Sequence, residues 1–248
     1  MYKFYTIFKR DLVNIFLSPV LMFYNTLFPF LLILILGFLS SNNYGKGILD
    51  SYDYYGITML LFIVLNVSVT AANSFMEKSL KESNLRIIYS PIKPSFIYLS
   101  KIAATFVFTS LSFMVIMLVS NLALGVNFGG GRAVYIVTLI LLFDLLCACL
   151  GVFFCCVFKS EELSNKILSL VNNIFAVLGG LFFQLDGFGN TAHKLTYISP
   201  VKWLLEGIFK IIYDKDLSCF VPVSFSFAAL SLILILGCKL TFRTEDYI

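Results

Sequence analysis

The chain has 248 residues; 59% are hydrophobic, only 13% are charged, and the formal net charge is +4. One soluble core cannot absorb that much apolar surface, because a soluble domain carries about 25% charged residues on a largely polar skin. Soluble enzymes, nucleic-acid-binding domains and disordered chains are excluded, and a polytopic membrane protein remains.

In chain order, the first predicted element is an amphipathic helix over 2–17. Phe4, Phe8, Leu12 and Phe16 recur every four residues, and Lys3, Arg10 and Asn14 fall opposite. The pattern suits a helix lying in the inner membrane interface and ending before Pro19; a plain extension of the first span is the other reading. Spans follow from the charge-free runs, since a membrane helix needs roughly 20 mostly apolar residues. Leu12 to Gly45, Tyr54 to Met76, Ile102 to Gly131, Ile167 to Leu185 and Leu217 to Cys238 carry no charge, and Ala133 to Phe158 carries only Asp144. Six helices are placed within them, at about 20–39, 55–76, 102–124, 133–158, 167–184 and 220–240. The runs lack period-two alternation, so helices rather than a barrel satisfy the backbone. The expected fold is all-α, with six transmembrane helices in a single domain over 1–248.

Six spans put both termini on one side. That side holds twelve Lys and Arg residues against six on the other. The positive-inside rule then places both termini in the cytoplasm, with the plasma membrane as the expected location. The basic balance is a topology signal and gives no reason to expect nucleic acid.

The longest cytoplasmic connection runs from Glu77 to Lys101. It opens with good helix formers of mixed charge, and Pro91 and Pro94 stop that helix and turn the chain back. Leu85, Ile87, Ile88 and Tyr89 beside Arg86 suit a protein partner or a lipid surface equally. After the fifth span, Val201, Leu204, Leu205, Ile208 and Ile212 share one face, while Lys202, Glu206 and Lys210 occupy another. With Pro200 at its start and Trp203 at interfacial depth, this reads as an external amphipathic helix on the outer leaflet or in a re-entrant hairpin.

No catalytic or metal-binding constellation is predicted. The one histidine, His193, falls on a predicted external loop with no acidic cluster beside it in sequence. Gly129-Gly130-Gly131-Arg132 lacks the Gly-Lys-Ser/Thr ending of a phosphate-binding loop and reads as a flexible turn. Cys147, Cys149, Cys155 and Cys156 share one span and cannot converge tetrahedrally from it, so they read as packing residues.

The plan resembles the membrane subunit of ABC exporters, in the type-2 permease family. Glu82-Ser83-Asn84-Leu85-Arg86-Ile87-Ile88-Tyr89-Ser90-Pro91 keeps the apolar pair and Ser-Pro of that family's segment, with Glu82 and Leu85 in place of its usual Gly and Glu. Gly179-Gly180-Leu181-Phe182-Phe183 and Pro200-Val201-Lys202-Trp203 match its later pattern. The resemblance implies two copies, or one copy with a related permease, enclosing a pathway in the lipid bilayer. It implies two ABC ATPase subunits docked on a coupling helix at Lys81, Glu82, Ser83, Asn84, Leu85, Arg86, Ile88, Tyr89 and Pro91. Glu161 and Glu162 would form a second contact. No cofactor is expected in this chain; ATP and Mg would be bound by the partner ATPase.

Spans one, two and five line the route in relatives, which makes Asn25, Asn66, Ser68, Asn172 and Asn173 candidate pathway residues, with Phe182 and Phe183 as an outer gate. Interhelical hydrogen bonding accounts for the asparagines as well. The aromatic content fits an amphipathic cargo such as a drug, peptide or lipid, and fits lipid contact equally. Asp144 reads as a hydrogen-bonded structural acid or as a proton-coupling site. The second function class is therefore a gradient-driven transporter or channel.

Overall fold

The computed structural model describes residues 2–41, 50–76, 92–182 and 194–242. Its elements are α1 (Tyr2–Leu17), α2 (Pro19–Leu39), α3 (Ser51–Met76), α4 (Ser95–Leu124), α5 (Ala133–Phe158), α6 (Glu161–Leu178), α7 (Pro200–Phe209) and α8 (Phe220–Thr241). No strand occurs among the described residues. Five helices are long and apolar enough to cross a membrane: α2, α3, α4, α8, and α5 with its leading turn from Gly130. α6 is the exception. Its first six residues hold Glu161, Glu162 and Lys166, so its apolar part is short.

Helices start earlier than the charge-free runs do, and the reason is local. Ser160 caps α6 by accepting from the Leu163 N–H, and Glu161 and Glu162 sit in the first turn, where the helix dipole favours acids. Hence α6 begins at Glu161 and ends at Leu178, whereas the predicted span ran over 167–184. α4 begins at Ser95, directly after Pro94, and takes Lys101 into its second turn. Charge-free runs mark hydrocarbon, not helix.

α3 is the hub, and it is the most buried of the five apolar helices. α5 packs along one side of it, α2 and α4 along another, and α6 along a third. α8 packs mainly on α5 and keeps most of its surface outward. The α3–α5 crossing depends on Gly151. A Cβ there would lie 2.0 Å from the Ser68 carbonyl oxygen and 2.9 Å from Ala71 Cβ. Glycine therefore lets the two backbones touch, as small residues do between membrane helices.

α2 is irregular. A π turn over Phe23–Leu27 interrupts it, and the Phe28 N–H reaches back to the Phe23 carbonyl. Pro29 explains the turn. Its ring collides with the carbonyl four residues back, that of Asn25, and a wide turn relieves the clash. The Gly129–Arg132 stretch, expected as a flexible turn, forms a 3₁₀ helix over Gly130–Arg132 that feeds α5. The apolar face of α7 is packed on protein. Val201, Leu204, Leu205 and Ile208 are buried against α3, α5, α6 and α8. Two features hold α7 there: Gly179 leaves room for Val201, and the Tyr54 and Phe209 rings stack at 6.0 Å.

Gly151→Ala is expected to cost about 1–3 kcal/mol, because backbone must move. Gly237→Ala meets only the Phe153 ring, which can swing, and should cost less. Melting of the two detergent-solubilised variants checks this; equal melting temperatures would contradict the assigned α3–α5 contact.

Candidate functional site

α3 leaves one strip half-buried: Tyr55, Phe62, Val69, Asn73 and Met76, with Asn66 on the same line. Those positions follow a spacing of three and four and form one face. On one flank α2 touches α3, where the Asn25 side-chain amide donates to Thr70 Oγ1 at 3.3 Å. On the other flank lies α6. α2 and α6 do not pack closely on each other, so both reach α3 separately.

Side-chain amides lace α6 to α3. Asn172 Nδ2 donates to Ser68 Oγ at 3.0 Å and to Asn66 Oδ1 at 3.3 Å. One helical turn pair further in, Asn165 Nδ2 donates to Asn73 Oδ1 at 2.6 Å. Toward the start of α3, the Tyr54 hydroxyl donates to the Gly180 carbonyl at 2.9 Å, and the Phe62 and Phe182 rings meet edge to face at 5.3 Å. Two buried acceptors, Asn25 Oδ1 and Asn165 Oδ1, have no hydrogen-bond donor among the described residues.

The structure thus brings Asn25, Asn66, Ser68 and Asn172 together around α3 as buried, hydrogen-bonded residues. Asn173 falls on the other face of α6, exposed in line with Lys166 and Ser169. Phe182 lies exposed beside Phe62. Glu162 is exposed in the first turn of α6 and pairs with Lys166 at 2.6 Å; Glu161 precedes it. Lys81, Glu82, Ser83, Asn84, Leu85, Arg86, Ile88, Tyr89, Pro91 and Phe183 lie outside the described residues, as does His193.

Two polar clusters escape a reading of sequence alone, and a third, at Asp144, gains its partners. Asp11 of α1 meets Lys101 of α4 at 2.8 Å, with both side chains 3% exposed, and Ser100 Oγ donates to the same carboxylate at 2.9 Å. The buried seam of α1 is Ile7, Asp11 and Ile15, not the phenylalanine row. Phe4 and Phe16 edge this seam through Phe96 and Phe108. The signal was present: Asp11 is the sole acid of α1 and sits four residues from Ile7 and from Ile15. At the opposite end of the bundle, Asp53 accepts from the Asn127 N–H at 2.7 Å and from the Tyr213 hydroxyl at 3.0 Å. Burial, then the Asp53 charge, raises the Tyr213 phenol well above its ordinary range and keeps it a donor. In mid-span, Asp144 accepts from Thr109 at 2.9 Å and from Ser110 at 2.9 Å, joining α5 to α4.

The six cysteines are all free thiols, and the four on α5 are buried. Among the described residues no cluster of His, Cys, Asp or Glu side chains is arranged to hold a metal.

Apolar helices around a buried hub, laced by amides and hydroxyls, define a multi-pass helical membrane protein with a polar seam between α3 and α6. The chain belongs to the ABC-2 type transporter family, whose family model matches residues 2–213. It is accordingly a membrane permease component of ABC transport. No curated protein matches the chain.

Asp11→Ala is expected to destabilise the protein by about 3–5 kcal/mol, because Lys101 then stays buried without its partner. The volume-matched double variant Asp11→Leu, Lys101→Met removes both charges and should regain most of that loss. A double-mutant cycle on melting temperature tests this; additive losses would dissolve the pair.

Proposed function

We propose that the chain is the membrane-spanning permease of an ATP-driven exporter. Two copies, or one copy and a related permease, enclose the cargo pathway, and α6 serves as the fifth of six spans. Both termini and the 77–94 connection face the cytoplasm, and the membrane is the plasma membrane. Two ABC ATPase subunits dock on Lys81 to Pro91, with Glu161 and Glu162 as the second contact. They bind ATP and Mg, and the permease itself has no nucleotide site.

The observation that carries this reading is the seam of side-chain amides between α3 and α6. A pathway needs polar groups inside an apolar bundle, and Asn66, Asn73, Asn165 and Asn172 supply them beside Tyr55 and Phe62. Asn25 Oδ1 and Asn165 Oδ1 are acceptors ready for a donor, which suits an amphipathic cargo carrying hydroxyl or amide N–H groups. The exposed Ser169 and Asn173 on α6 support a neighbouring protein surface there, because lipid would leave the Asn173 amide unsatisfied. ATP binding closes the ATPases, and the coupling helix passes the motion to α3 and α4, which flank it in sequence. Asp144 keeps two hydroxyl partners on α4, which supports its structural role over proton coupling.

Copurification tests the assembly: an ABC ATPase should come down with the tagged chain in equal copy number. Arg86→Glu with Tyr89→Ala should abolish export and cargo-stimulated ATP hydrolysis while membrane insertion stays normal; unchanged export would remove the coupling assignment.

The adjacent asparagines separate packing from interface. Asn172→Ala should lower stability by about 0.6–1.7 kcal/mol, the range for interhelical hydrogen bonds in membranes. Asn173→Ala should leave melting of the single chain unchanged and weaken its association with the neighbouring subunit, read as a shift from dimer to monomer. The reverse pattern would exchange the packing and interface faces of α6.

A further inference from the structure

The buried apolar residues fall into two separate cores, and α2 contributes to both. Its first turn, with Leu21 and Met22, joins Phe8, Leu12 and Ile15 of α1 and Ala104 and Phe108 of α4 in the smaller core. Its later part, with Phe28, Leu32, Ile33 and Leu36, joins the main core and packs chiefly on α3. Between the two stretches lies the π turn, Phe23–Leu27, where the Phe23 and Leu27 side chains are exposed. The change of core therefore coincides with the break in the helix.

Each stretch has its own polar fastening. The Asp11–Lys101 pair and Ser100 fix α1 on α4, and the ring contacts of Phe4 with Phe96 and of Phe16 with Phe108 edge that fastening. Ser18 alone separates α1 from α2, so the first turn of α2 is carried along. At the far end, Ser51 Oγ of α3 donates to the Gly37 carbonyl at 3.0 Å. Asn25 stands at the break and touches both stretches. Its Nδ2 donates to the Leu21 carbonyl at 2.9 Å and to Thr70 Oγ1 of α3 at 3.3 Å. Pro29 offers no N–H to the Asn25 carbonyl, which is the bond a stiff helix would use here.

We propose that α2 is a jointed helix: Pro19–Met22 moves with α1 and α4, Phe28–Leu39 moves with α3, and the π turn flexes between them. Asp11 and Lys101 are positioning residues, because they decide which helix the first unit follows. The joint deepens the transport reading and rests on it for its use. The 77–94 connection links the end of α3 to the start of α4, so a push on it loads the two helices separately. A rigid α2 fastened to both would resist their relative displacement. A jointed one lets Asn25 shift against Thr70 while both cores stay packed.

Hydrogen–deuterium exchange on the purified full chain in detergent tests the joint without cargo or ATPase. Asp11→Asn breaks a buried pair and should speed exchange across α1 and Pro19–Met22 together by about tenfold or more. Phe28–Leu39 should be unchanged, because cooperative units open independently. Ser51→Ala should do the reverse, speeding exchange around Gly37 and not in α1. Pro29→Ala restores the missing donor; it should slow exchange in the π turn about fivefold, the worth of one hydrogen bond, and raise the melting temperature. These two variants leave the ion pair intact and decide the matter should Asp11→Asn fold poorly. In the complex with its copurified ATPase, Pro29→Ala should slow ATP hydrolysis severalfold, a loss of turnover in a stabilised chain that a purely structural role does not give. Faster exchange on both sides of the π turn in Asp11→Asn or in Ser51→Ala, or unchanged hydrolysis in Pro29→Ala, would overturn the joint. Absence of any copurifying ATPase would instead remove the transport reading, and the exchange pattern would still decide the joint.

Discussion

Inside lipid, a polar side chain has no water to turn to, and its partner has to come from the same protein. The organisation of the bundle follows from how this chain meets that demand on α3. Thr70, Asn66, Ser68, Asn73 and Ser74 reach three neighbouring helices from one helix. Asn25 on α2, Asn172 and Asn165 on α6, and Thr105 on α4 answer them. Each bond contributes little by itself, on the order of 0.6 kcal/mol. Their directionality does more, because an apolar helix can rotate or slide on its neighbour at small cost, and one with four assigned partners cannot. Gly151 completes the arrangement from the α5 side, where no side chain at all fits between the backbones.

Once α3 is fixed, its free strip is determined. α5 and α4 close two sides with backbone contact and hydroxyl bonds, while α2 and α6 reach it from the flanks. The remaining face can only lie between those two. The ends of the bundle hold the arrangement from outside the hub. Asp53 ties the turn after α4 to the tail of the segment that follows α7, and Asp11 ties α1 to the first turns of α4. Both ties are carboxylates near helix ends, where charge is less expensive than in the middle of a span.

Much of this architecture was legible in the residue pattern, because long apolar runs leave the backbone few options. Existence and order of the helices followed from charge-free stretches, and Asn25, Asn66, Ser68 and Asn172 followed from polarity inside them. What the pattern could not carry was which face each residue takes. Asn172 and Asn173 are neighbours of identical chemistry, yet about 100° of helix rotation puts one in the hub and the other on the surface. Only the position of α3 decides between them. The phenylalanine row of α1 misled for a related reason. Period four was visible at Phe4, Phe8, Leu12 and Phe16, but the equally regular row Ile7, Asp11, Ile15 contained an acid and so looked polar. Its partner, Lys101, lies ninety residues away. The π turn of α2 was written in the Asn25-to-Pro29 spacing, which marks where the carbonyl must move aside.

The two deeply buried acids show how depth selects a solution. Lys101 stands in the second turn of α4, and Asp11 meets it there as a full ion pair. Asp144 lies near the middle of α5, where a cation would bring a second desolvation penalty of several kcal/mol. There the chain uses Thr109 and Ser110, adjacent hydroxyls on one turn of α4, which supply hydrogen bonds and no charge. Thr109 also donates back to the Thr105 carbonyl, and Thr105 in turn meets Ser74 at 3.0 Å. Asp144 is therefore the end of a polar line running from α5 through α4 to α3. A change at this single acid would be felt at the hub through three helices, with no ion pair anywhere on the route.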